Sequence, residues 1–247
     1  IQTMFGIRTP NRAVYKSSYW KIIDPIDRAH VLLVAEGVKP MAYTNFTNLG
    51  SIQEYLINEL HIIITEARGR TVWLSPKRNS LHFPVRVYTI AKSPKIFTQL
   101  QVLWSTRGKK RYQDFEGRLL GYPVCCRKEY SNPTYRKKFS PWILLNFRKP
   151  FTFMLEYIIR LMDGESIPSE YNYLMPSQTP CSISCKKSLK LLDRWKRILQ
   201  KYDHEALASL QEYNQHCKEK KYKAIAQALK KKGVTTKHFK KGFIFTK

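Results

Sequence analysis

The spacing of apolar residues changes near the middle of the chain. In the first half they come as short runs. Residues 30–35 (HVLLVA) form a continuous apolar run of strand length before Gly37, which predicts a strand. Residues 62–65, 71–74 and 85–90 predict three more strands. Ser51 with Glu54 three positions on forms a capping box ahead of Tyr55, Leu56 and Leu60, which predicts a helix start. Ser93-Pro94 opens another helix through Trp104, with proline at its first position. Pro10 and Pro25 mark turns in a mixed, aromatic lead-in. In the second half the spacing becomes helical. Leu189, Leu192, Trp195, Ile198 and Leu199 recur on one face, and Lys190, Arg194, Lys196, Arg197 and Lys201 fill much of the rest. A second run holds Leu207, Leu210 and Tyr213, and a third Tyr222, Ile225, Ala226 and Leu229, closed by lysines and Gly233. These patterns predict an α+β protein: an N-terminal α/β portion with a small mixed sheet, then a mostly helical C-terminal region. They divide the chain into an α/β domain with an arm (1–106), a central region (107–200) and a basic helical end with a tail (201–247).

Composition adds the partner class. The 247 residues carry 44 Lys+Arg against 18 Asp+Glu, a formal net charge of +26, and 43% are hydrophobic. That is enough apolar content for a core, so wholesale disorder is excluded. The excess charge sits in two blocks. Residues 107–149 are net +9 and residues 186–247 net +13, whereas residues 150–185 are net −3. A split footprint on a phosphate backbone produces this pattern, and solubility alone does not require it. The candidate phosphate contacts are Arg107, Lys109, Lys110 and Arg111 in RGKKRY; Arg127, Lys128, Arg136, Lys137 and Lys138; Arg194 and Arg197; and Lys230, Lys231, Lys232, Lys240 and Lys241. Tyr135 and Phe239 are candidate stacking residues, because aromatic faces hold unpaired bases. A solvated basic loop remains an alternative for RGKKRY, and core packing for the aromatics of 139–147.

No apolar run reaches membrane-spanning length; the best, 151–162, is short and contains Glu156 and Arg160. No signal-peptide pattern opens the chain, which begins at Ile1, and the five cysteines are too few for a disulfide framework. A reducing cytoplasm is the expected compartment. The six histidines show no metal spacing. Asp24 and Asp27 around Pro25 suit a turn, and Asp163, Glu165 and Glu170 suit an acidic loop better than catalysis.

Four of the five cysteines fall in two tight pairs. Cys125 and Cys126 follow Gly121-Tyr122-Pro123, a turn, and are expected to start a helix. Cys181 and Cys185 follow Pro180 and, four apart, are expected to share one helix face. Helix starts favour thiolates, so two of them meeting make a four-sulfur pocket for zinc, or less readily an iron–sulfur cluster. Buried structural thiols and a redox cysteine are the open alternatives, the latter lacking a His–Asp partner nearby.

The strings GRLLGYPVCCRKEY and TPCSISCKKSLKLL resemble an uncharacterised prokaryotic domain family, frequent in archaea. The matching positions are Leu120, Gly121, Tyr122, Pro123, Cys125, Cys126, Pro180, Cys181, Cys185 and Ser188. The resemblance covers roughly residues 110–200. It implies that the two cysteine pairs act together and that the source is archaeal; it implies no activity. The expected function is non-catalytic RNA binding, as a ribosome-associated or ribonucleoprotein component with ribosomal RNA as target and ribosomal proteins as neighbours. The alternatives are a zinc- or iron–sulfur-dependent enzyme acting on nucleic acid, and a DNA-binding, chromatin-like protein.

Overall fold

The computed structural model describes residues 10–74, 83–105, 112–131, 152–175, 178–231, 233 and 235. After a 3-10 turn at Arg12–Lys16, the Ser17 hydroxyl caps α1 (Ser18–Ile22) by accepting from the Trp20 amide at 3.1 Å. The Asp24 carboxylate then caps α2 (Pro25–Ala35), accepting from the Ile26 amide at 2.8 Å, with Pro25 at the first helical position. The run 30–35 is therefore helix, not the strand its apolar continuity predicts. A short apolar run reads alike in a buried strand and a buried helix, and the cap ahead of it decides. Every residue of α2 from Asp27 to Ala35 is buried, including the polar Asp27, Arg28 and His30. It packs on two strands of the sheet, β1 (Met41–Thr44) and β3 (Phe83–Ala91).

With β2 (Ile63–Leu74) these form one sheet in the order β1-β3-β2. Met41 and Ile63 both stand opposite Ala91, and both pairings are antiparallel. The sheet is thus antiparallel throughout rather than mixed. The segments 62–65 and 71–74 belong to one strand, interrupted by a register shift between Glu66 and Thr71. α3 (Leu49–Asn58) starts ahead of Ser51, whose hydroxyl donates to the Asn48 carbonyl at 2.9 Å instead of capping. α4 (Pro94–Ser105) begins on its proline as expected. α5 (Tyr112–Leu119) stops at Gly121, which has φ +77° and donates its amide to the Arg118 carbonyl. A Cβ on Gly121 would lie 2.8 Å from Pro40 Cδ, so both the turn and the packing require glycine here.

The described second half is mostly helical: α6 (Val124–Ser131), α7 (Thr152–Asp163), α8 (Lys186–Tyr202), α9 (His204–Tyr213) and α10 (Lys220–Lys231). No helix among the described residues is long and apolar enough to cross a membrane. The chain divides into two compact units, one built from Ile1–Gly121 and Arg197–Ser209, the other from Tyr122–Lys196 and Leu210–Lys247. In the second, α7 and α10 share a core of Met154, Leu155, Ile158, Met162, Ala226 and Leu229. The Asn214 side-chain amide joins a π-helical turn (Asn214–Glu219) to the carbonyls of Asn172 and Leu174, each at 2.9 Å.

In the first unit Asp203 is a buried junction. One carboxylate oxygen accepts from the Trp20 indole at 2.8 Å and pairs with Arg28 Nε at 3.0 Å. The other caps α9 by accepting from the Ala206 amide at 2.9 Å. Arg28, 3% exposed, reaches Glu205 as well, at 2.6 Å. Asp203→Ala leaves the buried Arg28 with only the exposed Glu205 and removes the acceptor of the Trp20 indole N–H. It is expected to lower stability by roughly 3–5 kcal/mol in urea unfolding, and Asp203→Asn, which keeps an acceptor, by clearly less.

Lys39 is a second buried charge-bearing group in this unit. It is 1% exposed and its Nζ lies 3.3 Å from His30 Nδ1. Burial brings Lys39 down to about 7 from 10.5, and burial together with Lys39 holds His30 well below its ordinary value. Burial also lifts Asp27 to about 7, against the Asn45 amide that donates to it. Between the folded and unfolded values of Lys39 the unfolded chain binds the extra proton, so stability rises with pH across that window. Asp27 acts with opposite sign, but only below about 7. Urea unfolding between pH 8 and 10 should therefore show stability rising by up to about 1.4 kcal/mol per pH unit, and Lys39→Met should flatten that rise.

Candidate metal centre

The first cysteine pair is placed by a helix start. The Pro123 carbonyl accepts from the Arg127 amide at 3.0 Å, so Val124, Cys125 and Cys126 form the first turn of α6, as the sequence predicts. The second pair is placed differently. Cys181 and Cys185 do not share a helix face; they bracket a turn, Ser182–Ser184, ahead of α8. The Cys185 amide donates to the Ser182 carbonyl at 3.3 Å, and the Cys185 carbonyl accepts from Leu189 at 3.0 Å, which makes Cys185 the N-cap of α8. Side chains satisfy the backbone of this turn in place of helical bonds. The Tyr171 hydroxyl donates to the Ile183 carbonyl at 2.7 Å, and the Ile183 amide donates to the Glu156 carboxylate. That clamp is why the expected helix does not start at Pro180.

The four sulfurs converge, all within 4.8 Å of one another. Cys125–Cys185, Cys126–Cys185 and Cys125–Cys126 are 3.6, 3.8 and 3.9 Å apart. None is in a disulfide; Cys126 and Cys185 are buried, and Cys125 and Cys181 half-buried. A tetrahedral ion bonded to sulfur at about 2.3 Å sets its ligands on edges of about 3.8 Å, so these spacings fit one metal ion. Hydrogen bonds support the sulfurs. The Cys181 amide donates to Cys126 Sγ at 3.4 Å, and Ser188 Oγ lies 3.1 Å from the same atom. Burial pushes the Cys126 thiol up to about 11 in spite of these donors. Burial raises Cys181 further, with Cys185 adding to it. At Cys185 burial also acts upward, but the Ser188 hydroxyl and amide, Cys181 and Cys125 outweigh it and bring the thiol down to about 7. Cys185 is thus held toward its thiolate, while Cys126 and Cys181 are held toward their thiols. Four cysteines so placed could hold a metal ion.

The other predicted site residues that are described lie on three helices. Arg127 (half-buried) and Lys128 (exposed) follow the cysteines on α6. Arg194 and Arg197 are exposed on α8, and Lys230 and Lys231 are exposed at the end of α10. Arg107, Lys109, Lys110, Arg111, Tyr135, Arg136, Lys137, Lys138, Lys232, Phe239, Lys240 and Lys241 lie outside the described residues. In the acidic loop Asp163 and Glu165 are exposed, and Glu165 pairs with Arg160 at 3.7 Å.

Sequence reasoning missed Tyr171 and Glu156, which hold the turn but sit 10 and 29 residues before Cys181 and Cys185 with no motif of their own. Tyr171→Phe should leave the four sulfurs in place but loosen the turn. Cobalt(II) titration, read at the thiolate-to-metal absorption band, should show roughly tenfold weaker binding with an unchanged spectrum. No family model, curated protein or solved structure matches the chain, so the resemblance between Leu120 and Ser188 rests on those residues themselves.

Proposed function

We propose that this protein binds RNA without catalysing a reaction, and that a zinc ion on Cys125, Cys126, Cys181 and Cys185 builds the unit that displays part of its basic surface. The observation that carries the RNA reading is the one-sided charge of its helices. On α8 the exposed positions include Lys186, Lys187, Lys190, Arg194, Arg197 and Lys201, and on α10 Lys220, Lys223, Lys230 and Lys231; α10 has no acid, and the one acid of α8, Asp193, is half-buried. With a net charge of +26, such faces are matched by a polyanion. The expectation of a ribosomal or other ribonucleoprotein setting belongs to this reading.

The sulfur geometry favours zinc over an iron–sulfur cluster, because several irons would spread the ligands beyond the 4.8 Å that holds all four. It also favours a structural over a catalytic ion. Four protein thiolates complete the tetrahedron and leave no position for water or substrate, which argues against the metalloenzyme alternative.

Elemental analysis of the purified chain should find one zinc per molecule, and the double variant Cys126→Ser/Cys181→Ser should lose it. A folded wild-type protein free of metal would end the zinc reading. Filter binding to mixed-sequence single-stranded RNA should weaken about a thousandfold between 50 and 200 mM salt. Binding absent at the lowest salt, or indifferent to salt, would end the RNA reading.

A further inference from the structure

We infer that Lys186, Lys187, Lys190 and Arg194 on α8 form a docking ridge for one phosphate strand of RNA, held in place by the metal centre at the start of that helix. The inference rests on the proposed RNA binding and names the surface that performs it. At about 100° per residue these four side chains fall within an arc of ~100°. Ser188, Leu192 and Trp195 are buried on the other side of the helix. Lys196 lies outside the arc, with its ammonium 5.1 Å from the centre of the Tyr173 ring. The ridge runs about 12 Å from Lys186 to Arg194. One nucleic-acid strand presents a phosphate every ~3.4 Å of axis, so four cations meet three or four phosphates.

The ends of α8 and α10 differ in a way that singles out the ridge. Lys230 and Lys231 occupy the last turn of α10, where cations suit the helix's own dipole. Lys186 and Lys187 occupy the first turn of α8, where the dipole opposes them and no acid accompanies them. The residue before them is Cys185. A divalent ion on four thiolates carries a net charge of −2, which offsets the dipole and lets the helix begin with cations. The ridge and the metal centre are therefore coupled, and without metal the first turn holds cations against an uncompensated dipole.

The test uses the full, zinc-loaded chain and mixed-sequence single-stranded RNA, with affinity measured as a function of salt. The quadruple variant Lys186→Gln/Lys187→Gln/Lys190→Gln/Arg194→Gln should keep its zinc and lower the log–log salt slope by about 3. A matched variant of four exposed cations in the other unit, Lys16→Gln/Lys21→Gln/Arg86→Gln/Lys95→Gln, should change it by less than about 1. Removing zinc by chelation should reduce the slope as the ridge variant does. Wild-type binding that survives loss of the ridge, or falls equally with either variant, overturns the ridge and leaves the RNA reading standing. Tighter binding to duplex DNA through the same ridge overturns the choice of RNA. Absence of any wild-type binding overturns both.

Discussion

Four sulfurs within 4.8 Å of one another cannot all carry charge unless a cation lies among them, and this constraint governs the second unit. As thiols they are weak donors and acceptors crowded into a half-buried corner; as thiolates they repel. The gradient from Cys185 near 7 to Cys126 near 11 reflects that conflict. Burial opposes charge at Cys126, Cys181 and Cys185, and of these only Cys185, with the densest set of donors, overcomes it. A metal ion removes the conflict, because each sulfur then faces a cation as well as its neighbours.

The two cysteine pairs reach this point by unlike routes. Cys125 and Cys126 ride the first turn of a helix, so adjacent residues aim differently around its axis and both sulfurs reach the same cluster. Cys185 caps a helix with its backbone, and Cys181 enters from the turn before it. Adjacent cysteines look awkward as ligands when read as a spacing. They are workable once the partner pair is a turn, whose backbone bends to meet them. Tyr171 and Glu156 supply the bonds that the turn's own backbone leaves unmade. The site is thus specified partly by residues that bear no metal chemistry, which is why a motif alone underdescribes it.

How far the sequence reveals the structure depends on what each signal contains. Pro94 opening α4, the cysteine pair opening α6 and the amphipathic period of α8 are local, and they are visible because a cap or a periodicity is written in adjacent residues. The run 30–35 misleads because burial on all sides erases periodicity; the deciding pair, Asp24-Pro25, reads as a turn only until its helix-capping meaning is weighed. The convergence of the cysteine pairs is suggested by shared helix-start signals, but the turn between Cys181 and Cys185 depends on side chains from elsewhere in the unit. Asp203 is invisible in the same way, since its partners Trp20 and Arg28 are 183 and 175 positions away.

The first unit places charge where burial makes it expensive and then neutralises it within the protein: Arg28 has Asp203 and Glu205, while Lys39 and Asp27 are driven toward their neutral forms. The cations of α8 and α10 follow the opposite rule. Most of them are exposed, and the two helices carry one acid between them, the half-buried Asp193, so much of their field extends into solvent. A fold that pairs or neutralises its buried charges while keeping cations in excess on these helix surfaces concentrates its positive potential outward. Such a field raises the local concentration of a polyanion and speeds its capture, whether or not any base is read. On the proposed reading, affinity then comes from phosphates. A closed four-sulfur centre suits that role, because what it contributes is a fixed arrangement of cations.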